Sequence, residues 1–283
     1  MIFVTFRQIL TRNIYLLMSL KKCTVLASLI ICFLLLTQLH TSAQNQYELT
    51  TGWKCQKATA VAVNGTQLSK SDFPLGSWQE ATVPGTVLTT QLNNKQVPDP
   101  FIGMNNAHIP DIYKVGRDYY TYWFVKDFKE AAPQNNGQVY LNLRGVNYSC
   151  NVFLNGHQLN DKLHSGMFLR QTYNITQWLS KSGNNRLAVI VYPADVVGNP
   201  NGGQGGDGTI ARNVSIQYTA GWDWIQPIPD RNTGIWDKVT IEKTGAVKIT
   251  DPHVITLVPG IRQPDGPQQP ANIIVSAVVE NAS

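Results

Sequence analysis

The feature that most constrains this chain is the alternation, from Tyr47 onward, of short apolar runs with clusters of glycine, asparagine, proline and aspartate. Runs bounded in this way predict β-strands, and helical periodicity is nearly absent. The runs that we interpret as strands are Tyr120–Phe128, Gln138–Leu143, Tyr148–Leu154, Met167–Tyr173, Arg186–Tyr192 and Ile235–Lys243. About eight strands in roughly 200 residues predict an all-β chain, specifically a jelly-roll β-sandwich.

Local patterns sharpen this prediction. Gln138–Leu143 alternates apolar and polar residues, as a half-buried strand does. Asn155-Gly156 is a favoured dipeptide for a tight hairpin turn. Asn174 is placed to cap a short helical turn over Ile175–Leu179.

Three segments look like loops. Ser69–Val83 and Pro98–Gly116 are long, and loops of that length are uncommon without a function. Val197–Asp207 is rich in glycine, but it lacks the Gly-Lys-Ser/Thr ending of a phosphate-binding loop and no helical pattern follows it. We therefore interpret the glycine-rich segment as a surface loop.

The order of segments predicts three units. Residues 1–43 are predicted to form a signal peptide, with Met18 as an alternative start. Lys21 and Lys22 precede an apolar run that is short for a bilayer span of roughly 20 residues. Residues 44–245 form the jelly roll. Residues 246–283 contain two more strand-like runs, Val247–Val258 and Asn272–Glu280, which are too few for an independent sandwich.

The signal peptide, or leader, accounts for most of the excess of basic residues in the chain. It contains four of the 23 basic residues and no acidic residue, so 19 basic and 18 acidic residues remain in the mature chain. This near balance gives no support for nucleic-acid binding. Removal of the leader predicts an exported protein, periplasmic or extracellular, without a membrane span.

Two cysteines, Cys55 and Cys150, remain after the leader. Export makes a disulfide chemically possible, but the sequence does not show whether the two residues meet. Neither belongs to a Cys-x-x-Cys pair of the kind that binds metals.

We find no recognisable catalytic motif. His-Glu-x-x-His, Gly-x-Ser-x-Gly and zinc-type spacings are absent, and glycoside hydrolysis needs two carboxylates that flank one bond. The mature glutamates are scattered: Glu48, Glu80, Glu130, Glu242 and Glu280. The sequence thus predicts no catalytic residues, no metal and no cofactor in this chain.

The most informative segment is Tyr218–Val239, in which Asp223 lies between Trp222 and Trp224. Indole rings cover the apolar faces of sugars, and carboxylates accept hydrogen bonds from sugar hydroxyls. For these two tryptophans, sugar binding and core packing both stay open. For Trp236, on a predicted strand, we favour the core.

Several segments together resemble the N-terminal domain of glycoside hydrolase family 2, close to its β-mannosidase and exo-β-glucosaminidase branch. The resemblance covers the chain from about Tyr47 to Ser283. The matching segments, in chain order, are Trp78–Thr86 (WQEATVPGT), Asp99–Phe101 with Asn105-Asn106, Tyr122–Phe124, Gly145–Gly156, Asn185–Val191, Gly221–Trp224 and Thr233–Trp236.

The resemblance implies a jelly roll, then an immunoglobulin-like sandwich begun by residues 246–283, then a catalytic (β/α)₈ barrel that this chain lacks. It also implies a carbohydrate partner, a terminal β-linked sugar. Asp223 would bind its hydroxyls, Trp222 and Trp224 would wall the pocket, and Asn105 and Asp99 would contribute from the other loop. The glycine-rich insert favours glucosaminidase-like members, so the sugar stays open.

Three hypotheses follow. The first is the non-catalytic head of a retaining exo-β-glycosidase for terminal β-mannosides or β-glucosaminides. The second is a stand-alone carbohydrate-binding module without hydrolase activity. The third is a structural or adhesion sandwich that binds no sugar, which requires Trp222, Asp223 and Trp224 to be buried.

Overall fold

The computed structural model describes residues 45–133, 136–199, 207–216, 228–261, 264–267 and 270–281. Asn45–Ser283 form one compact unit. The predicted signal peptide lies outside the described residues. Over the described ranges, no helix is both long enough and apolar enough to cross a bilayer.

Two antiparallel sheets form the body of the molecule. The smaller sheet has the strand order β1-β11-β5-β9. Its strands are β1 (Asn45–Glu48), β5 (Gln138–Leu143), β9 (Gln171–Asn174) and β11 (Val239–Thr244). The larger sheet has the order β3-β2-β4-β10-β6-β7, and β8 also pairs with β6. Its strands are β2 (Trp53–Lys57), β3 (Gln79–Glu80), β4 (Tyr122–Lys129), β6 (Ser149–Leu154), β7 (His157–Gln158), β8 (His164–Ser165) and β10 (Asn184–Tyr192).

The core lies between the two sheets. In the larger sheet Phe124, Val189 and Val152 stand side by side on adjacent strands. In the smaller sheet Leu141 stands beside Ile241. All five side chains are fully buried in one cluster. Each such burial contributes about 1.5–3 kcal/mol, so the alternating apolar residues that predicted the strands also hold the sheets together. The predicted all-β sandwich is confirmed.

A second, smaller apolar cluster covers the outer face of the larger sheet. Trp123 and Phe153 pack there against Leu68 of helix α1 (Gly65–Leu68). Asn64 and Gln67 close a capping box at the start of this helix. Strand β10 is therefore buried on both faces, which explains its nearly continuous apolar sequence.

Several local predictions hold. Strand β5 has the predicted bounds, and β4, β6, β10 and β11 lie within a few residues of theirs. Asn155 and Gly156 both have positive φ, 50° and 91°, as a tight hairpin turn requires.

Other local predictions need correction. Val87–Asn93 forms helix α2, capped by the Thr86 side chain, which the sequence pattern missed because the helix has only two turns. The segment Pro98–Gly116 contains a 3₁₀ turn, Asn105–His108, and helix α3, Ile112–Val115. The predicted helical turn within Ile175–Leu179, by contrast, is confirmed as a 3₁₀ helix over Thr176–Trp178, and the Asn174 side chain accepts a hydrogen bond from the Thr176 N–H at 3.0 Å.

The two predicted strands at the end of the chain are confirmed as β12 (Val247–Leu257) and β13 (Asn272–Asn281), and they pair with each other in a separate two-stranded ribbon. Lys248 connects it to the sandwich: its Nζ atom lies 3.6 Å from the ring centroid of Tyr140 and 3.9 Å from Glu242. The ribbon exposes many apolar side chains, namely Val247, Ile249, Val254, Ile255, Leu257, Ile273, Ile274, Val275, Val278 and Val279. That it begins an immunoglobulin-like unit stays a prediction.

The two cysteines do not pair. Cys55 is in β2 and Cys150 is in β6, with β4 and β10 between them. Three strand spacings separate the residues by about 14 Å, whereas a disulfide needs Cα atoms within about 7 Å. Both thiols are free and buried, and burial raises the pKa of each to about 12.

Candidate functional site

The predicted sugar-binding residues divide into two groups. Trp222, Asp223 and Trp224 lie outside the described residues. Asp99 and Asn105 lie together in the turn that opens the Pro98–Gly116 segment: the Asn105 side-chain amide donates to the Asp99 carbonyl at 3.0 Å. Asp99 Oδ1 in turn accepts from the backbone N–H of Phe101 at 2.9 Å.

The later part of the same segment is fastened by Arg231, a residue that sequence reasoning did not single out. The Arg231 side chain is only 2% exposed. Its guanidinium contacts both carboxylate oxygens of Asp111, at 2.9 and 3.2 Å. It also donates to the carbonyls of Ile228 at 2.8 Å and Gly198 at 3.1 Å. One buried cation therefore joins three loops.

Asp230, the preceding residue, anchors the same loop from the other side. Its carboxylate is fully buried and accepts from the backbone N–H groups of Leu88 and Asn232, each at 2.8 Å. Burial raises the pKa of Asp230, while these two amides oppose the shift. The loop that follows residues 221–224 is thus bound to helix α2.

A third contact fastens the glycine-rich segment. Its two ends pair at Asn199 and Thr209, and the Tyr113 hydroxyl donates to the Asp207 carboxylate. Together with a hydrogen bond from Thr209, this contact lowers the pKa of Asp207 to about 2. Residues 200–206 lie outside the described part of the chain, so the loop prediction is tested only at its ends.

Three of the segments that carried the resemblance meet beside these loops. Gly85 donates its N–H to the Ile235 carbonyl, and Val87 donates to the Thr233 carbonyl, each at 2.8 Å. A Cβ atom on Gly234 would lie 2.5 Å from the Gly85 carbonyl oxygen, so only glycine permits this approach. These motifs are therefore structural.

Trp236 also packs as part of the structure. Its indole N–H donates to the Met167 carbonyl at 3.0 Å, and its ring lies edge-on to Phe168 at 5.9 Å. A Cβ on Gly145 would lie 2.5 Å from the indole. Trp236 is half-buried, belongs to neither apolar core cluster and precedes β11, so the predicted core position and the predicted strand position are both wrong.

Asn147, two residues after Gly145, joins that segment to the loop that carries Arg231. Its side-chain amide donates to the carbonyls of Arg231 and Asn232, at 2.8 and 2.9 Å. In the part of the chain that the structure describes, no cluster of three or more histidine, cysteine, aspartate or glutamate residues could hold a metal ion. The site offers hydrogen-bonding groups and apolar surface on loops that a buried ionic network positions.

Two packed antiparallel sheets, with loops that a buried ion pair joins, define an all-β sandwich domain of the jelly-roll class. The family model described as "Glycosyl hydrolase 2 galactose-binding domain-like" matches residues 53–237. The chain belongs to this family.

Relatives within the family are enzymes. The chain is 50% identical over 213 residues to mannosylglycoprotein endo-β-mannosidase of Lilium longiflorum. The aligned region covers 74% of this chain and 22% of that enzyme. It is 30% identical over 209 residues to an exo-β-D-glucosaminidase of Streptomyces avermitilis, covering 73% and 20%. The chain therefore spans about a fifth of the length of these relatives.

The fold agrees with a solved structure. The exo-chitosanase CsxA of Amycolatopsis orientalis superposes with a TM-score of 0.64 at 26% identity, covering 84% of this chain and 24% of that enzyme. The resemblance inferred from the sequence motifs is thus confirmed at the level of family and fold.

Proposed function

We propose that this chain is the non-catalytic, sugar-binding N-terminal part of an exported glycoside hydrolase that acts on β-mannosides. The 50% identity with an endo-β-mannosidase carries the choice of sugar, because identity with the exo-β-glucosaminidases is 24–30%. The choice of a β-mannoside differs from the indication of the glycine-rich insert, which favoured glucosaminidase-like members.

In this proposal Trp222, Asp223 and Trp224 contact the terminal sugar, and Asp99 and Asn105 contribute from the facing turn. The described geometry supports the second pair, because internal hydrogen bonds hold both residues in one turn. The buried Asp111–Arg231 pair supports the arrangement, since it connects that turn's segment to the loop that follows Trp224.

The catalytic carboxylates belong, in this proposal, to a barrel outside the chain. A (β/α)₈ barrel needs about 250 residues, and the chain covers 22% of its endo-β-mannosidase relative. The intact enzyme's immunoglobulin-like and barrel domains would be its partners, and the leader would direct it to the periplasm or the exterior.

The first test uses purified Asn45–Ser283. In NMR titrations we expect methyl β-mannoside to bind in fast exchange with an affinity of about millimolar. The matching β-glucosaminide should bind more weakly, and Trp222→Ala and Asp223→Asn should abolish binding. We expect no hydrolysis of nitrophenyl β-mannoside. Turnover by the pure chain would overturn the non-catalytic role, and a preference for the glucosaminide would overturn the choice of sugar.

A second test concerns the gene. Sequencing beyond codon 283 is expected to reveal the remaining domains in frame. A stop codon with no barrel downstream would leave the stand-alone binding module as the function to pursue.

A further inference from the structure

A cavity of about 280 Å³ lies against the larger sheet, where strand β4 ends and strand β10 begins. The long segment Ser69–Val83, whose length predicted a function, contributes Ser71 to the lining. Sites for small molecules occupy about 300–1,000 Å³, so this cavity has room for one sugar ring rather than for a long glycan. The residues that line it are Ser71, Asp127, Phe128, Lys129, Asn184 and Asn185.

Three polar side chains of the lining share the outer face of the larger sheet. Asn184 stands directly opposite Lys129, and Arg186 stands opposite Asp127. Side chains alternate along a strand, so these four residues project from the same face as Val125, a member of the outer apolar cluster. A carboxylate, an ammonium group and an amide are therefore neighbours at the edge of that cluster.

Arg186 holds the two sides of the cavity together. Its side chain is 7% exposed, and its guanidinium donates to both carboxylate oxygens of Asp127, at 2.6 and 2.8 Å. It also donates to the carbonyls of Lys70 at 3.0 Å and Phe73 at 2.5 Å, which lie on either side of Ser71 in the sequence. The walls are thus already positioned, and a ligand loses little affinity to their ordering.

The free polar groups of the cavity define the ligand that it suits. Among the described residues, the side chains of Ser71, Lys129 and Asn184 have no hydrogen-bond or ion-pair partner. Arg186 neutralises the charge of Asp127, so the Lys129 ammonium gives the cavity an excess of positive charge. An ammonium group binds a carboxylate, while hydroxyl, amide and carboxylate groups bind hydroxyls. A hexuronate, which is a sugar ring with one carboxylate, offers both kinds of group.

We propose that this cavity is a binding site for one hexuronate unit of an acidic glycan. Lys129 binds the carboxylate of the sugar, and Asp127, Asn184 and Ser71 bind its hydroxyls. The site is independent of the proposed function, because none of the residues assigned to the terminal β-mannoside lines it. Its role is attachment of the chain to a glycan that contains uronates.

The test is an NMR titration of Asn45–Ser283 with methyl β-D-glucuronide and with methyl β-D-glucoside, which has no carboxylate. We expect the glucuronide to shift the amide signals of Ser71, Lys129 and Asn184, and to bind about fivefold more tightly than the glucoside. Lys129→Met should remove this difference, and Asn184→Ala should weaken the binding of both sugars. Lys162→Met, which removes an exposed lysine outside the lining, is the matched control and should change neither affinity.

The opposite outcomes would overturn the site. Equal affinities for the two sugars, or a difference that persists in Lys129→Met, would contradict recognition of a carboxylate. Inorganic phosphate that binds at the same signals as tightly as the glucuronide would show an anion site rather than a sugar site. Shifts at other residues alone would also exclude the cavity.

The two proposals fail separately. Binding of methyl β-mannoside and its loss in Trp222→Ala test the proposed function, and neither result depends on Lys129. Because the Lys129 side chain is exposed, the thermal unfolding midpoint of Lys129→Met should match that of the unmodified chain. A loss of glucuronide binding in this variant is then a loss of the contact and not of the fold.

Discussion

Arg231 and Asp111 form a two-point ion pair between segments that are 120 residues apart in sequence, with N–O distances of 2.9 and 3.2 Å. The planar guanidinium matches both carboxylate oxygens, and its remaining N–H groups reach backbone carbonyls. The pair therefore determines where the loops beside the candidate sugar site are held.

Removing this cation should be costly. We expect Arg231→Met to lower the free energy of unfolding by about 3 kcal/mol, because it leaves Asp111 and two carbonyls without their partner. Arg231→Lys should recover only part of the loss, since an ammonium cannot make the two-point contact. Urea unfolding measures both changes.

The control for this prediction is Arg144→Met. Arg144 is 43% exposed and lies 3.7 Å from Asp237, so its loss should cost less than about 1 kcal/mol. Equal losses for the two arginines would contradict a special role for Arg231.

Asp207 should titrate unusually low. The hydrogen bond from Tyr113 is the main cause of its pKa of about 2, against an ordinary value of 3.8. Since the folded-state pKa lies below the unfolded value, this contact stabilises the fold fully above pH 3.8 and is lost as the pH falls through about 2. Carboxyl ¹³C NMR should show this midpoint, and Tyr113→Phe should raise it; an unchanged midpoint in that variant would refute the cause.

Gly145 should not tolerate a side chain. In Gly145→Ala the new methyl group would lie 2.5 Å from the Trp236 indole, which Met167 and Phe168 already hold. We expect a loss of about 1–3 kcal/mol in stability and altered tryptophan fluorescence. Gly245→Ala is the matched control, because a Cβ there meets no atom within 4 Å. Similar losses in both variants would show that the indole contact is irrelevant.

The thiols of Cys55 and Cys150 should be unreactive in the folded chain. Both are fully buried with a pKa of about 12, so at pH 8 only about one in ten thousand is a thiolate. A disulfide exchange reagent should therefore detect no thiol in native Asn45–Ser283 and two after unfolding in guanidinium. Detection of none after unfolding would demonstrate a disulfide and contradict the strand order.

The sequence predicted the parts of the fold that depend on local periodicity. Strand β5 has its predicted bounds because Val139, Leu141 and Leu143 alternate with polar residues along one buried face. The turn at Asn155-Gly156 is local as well. Helix α2 was missed because its two turns are too short for a periodic signal, although the Thr86 cap was visible in the sequence.

The site was less predictable for a physical reason. Asp111, Asp230 and Arg231 act through contacts between distant segments, and the positive φ angles of Arg231 and Asn232 leave no pattern in neighbouring residues. Asp99 and Asn105 were found through the resemblance, and the structure places them in one turn. Their role in binding sugar stays a prediction.

The ribbon of β12 and β13 has a consequence for the handling of the isolated chain. It offers two strands of 11 and 10 residues whose outer edges pair with no other described strand and whose apolar side chains lie in water. Exposed edges of this kind pair readily with strands from other molecules. Protein concentration, rather than temperature, should therefore set the shelf life of purified material, and dilute stocks should outlast concentrated ones.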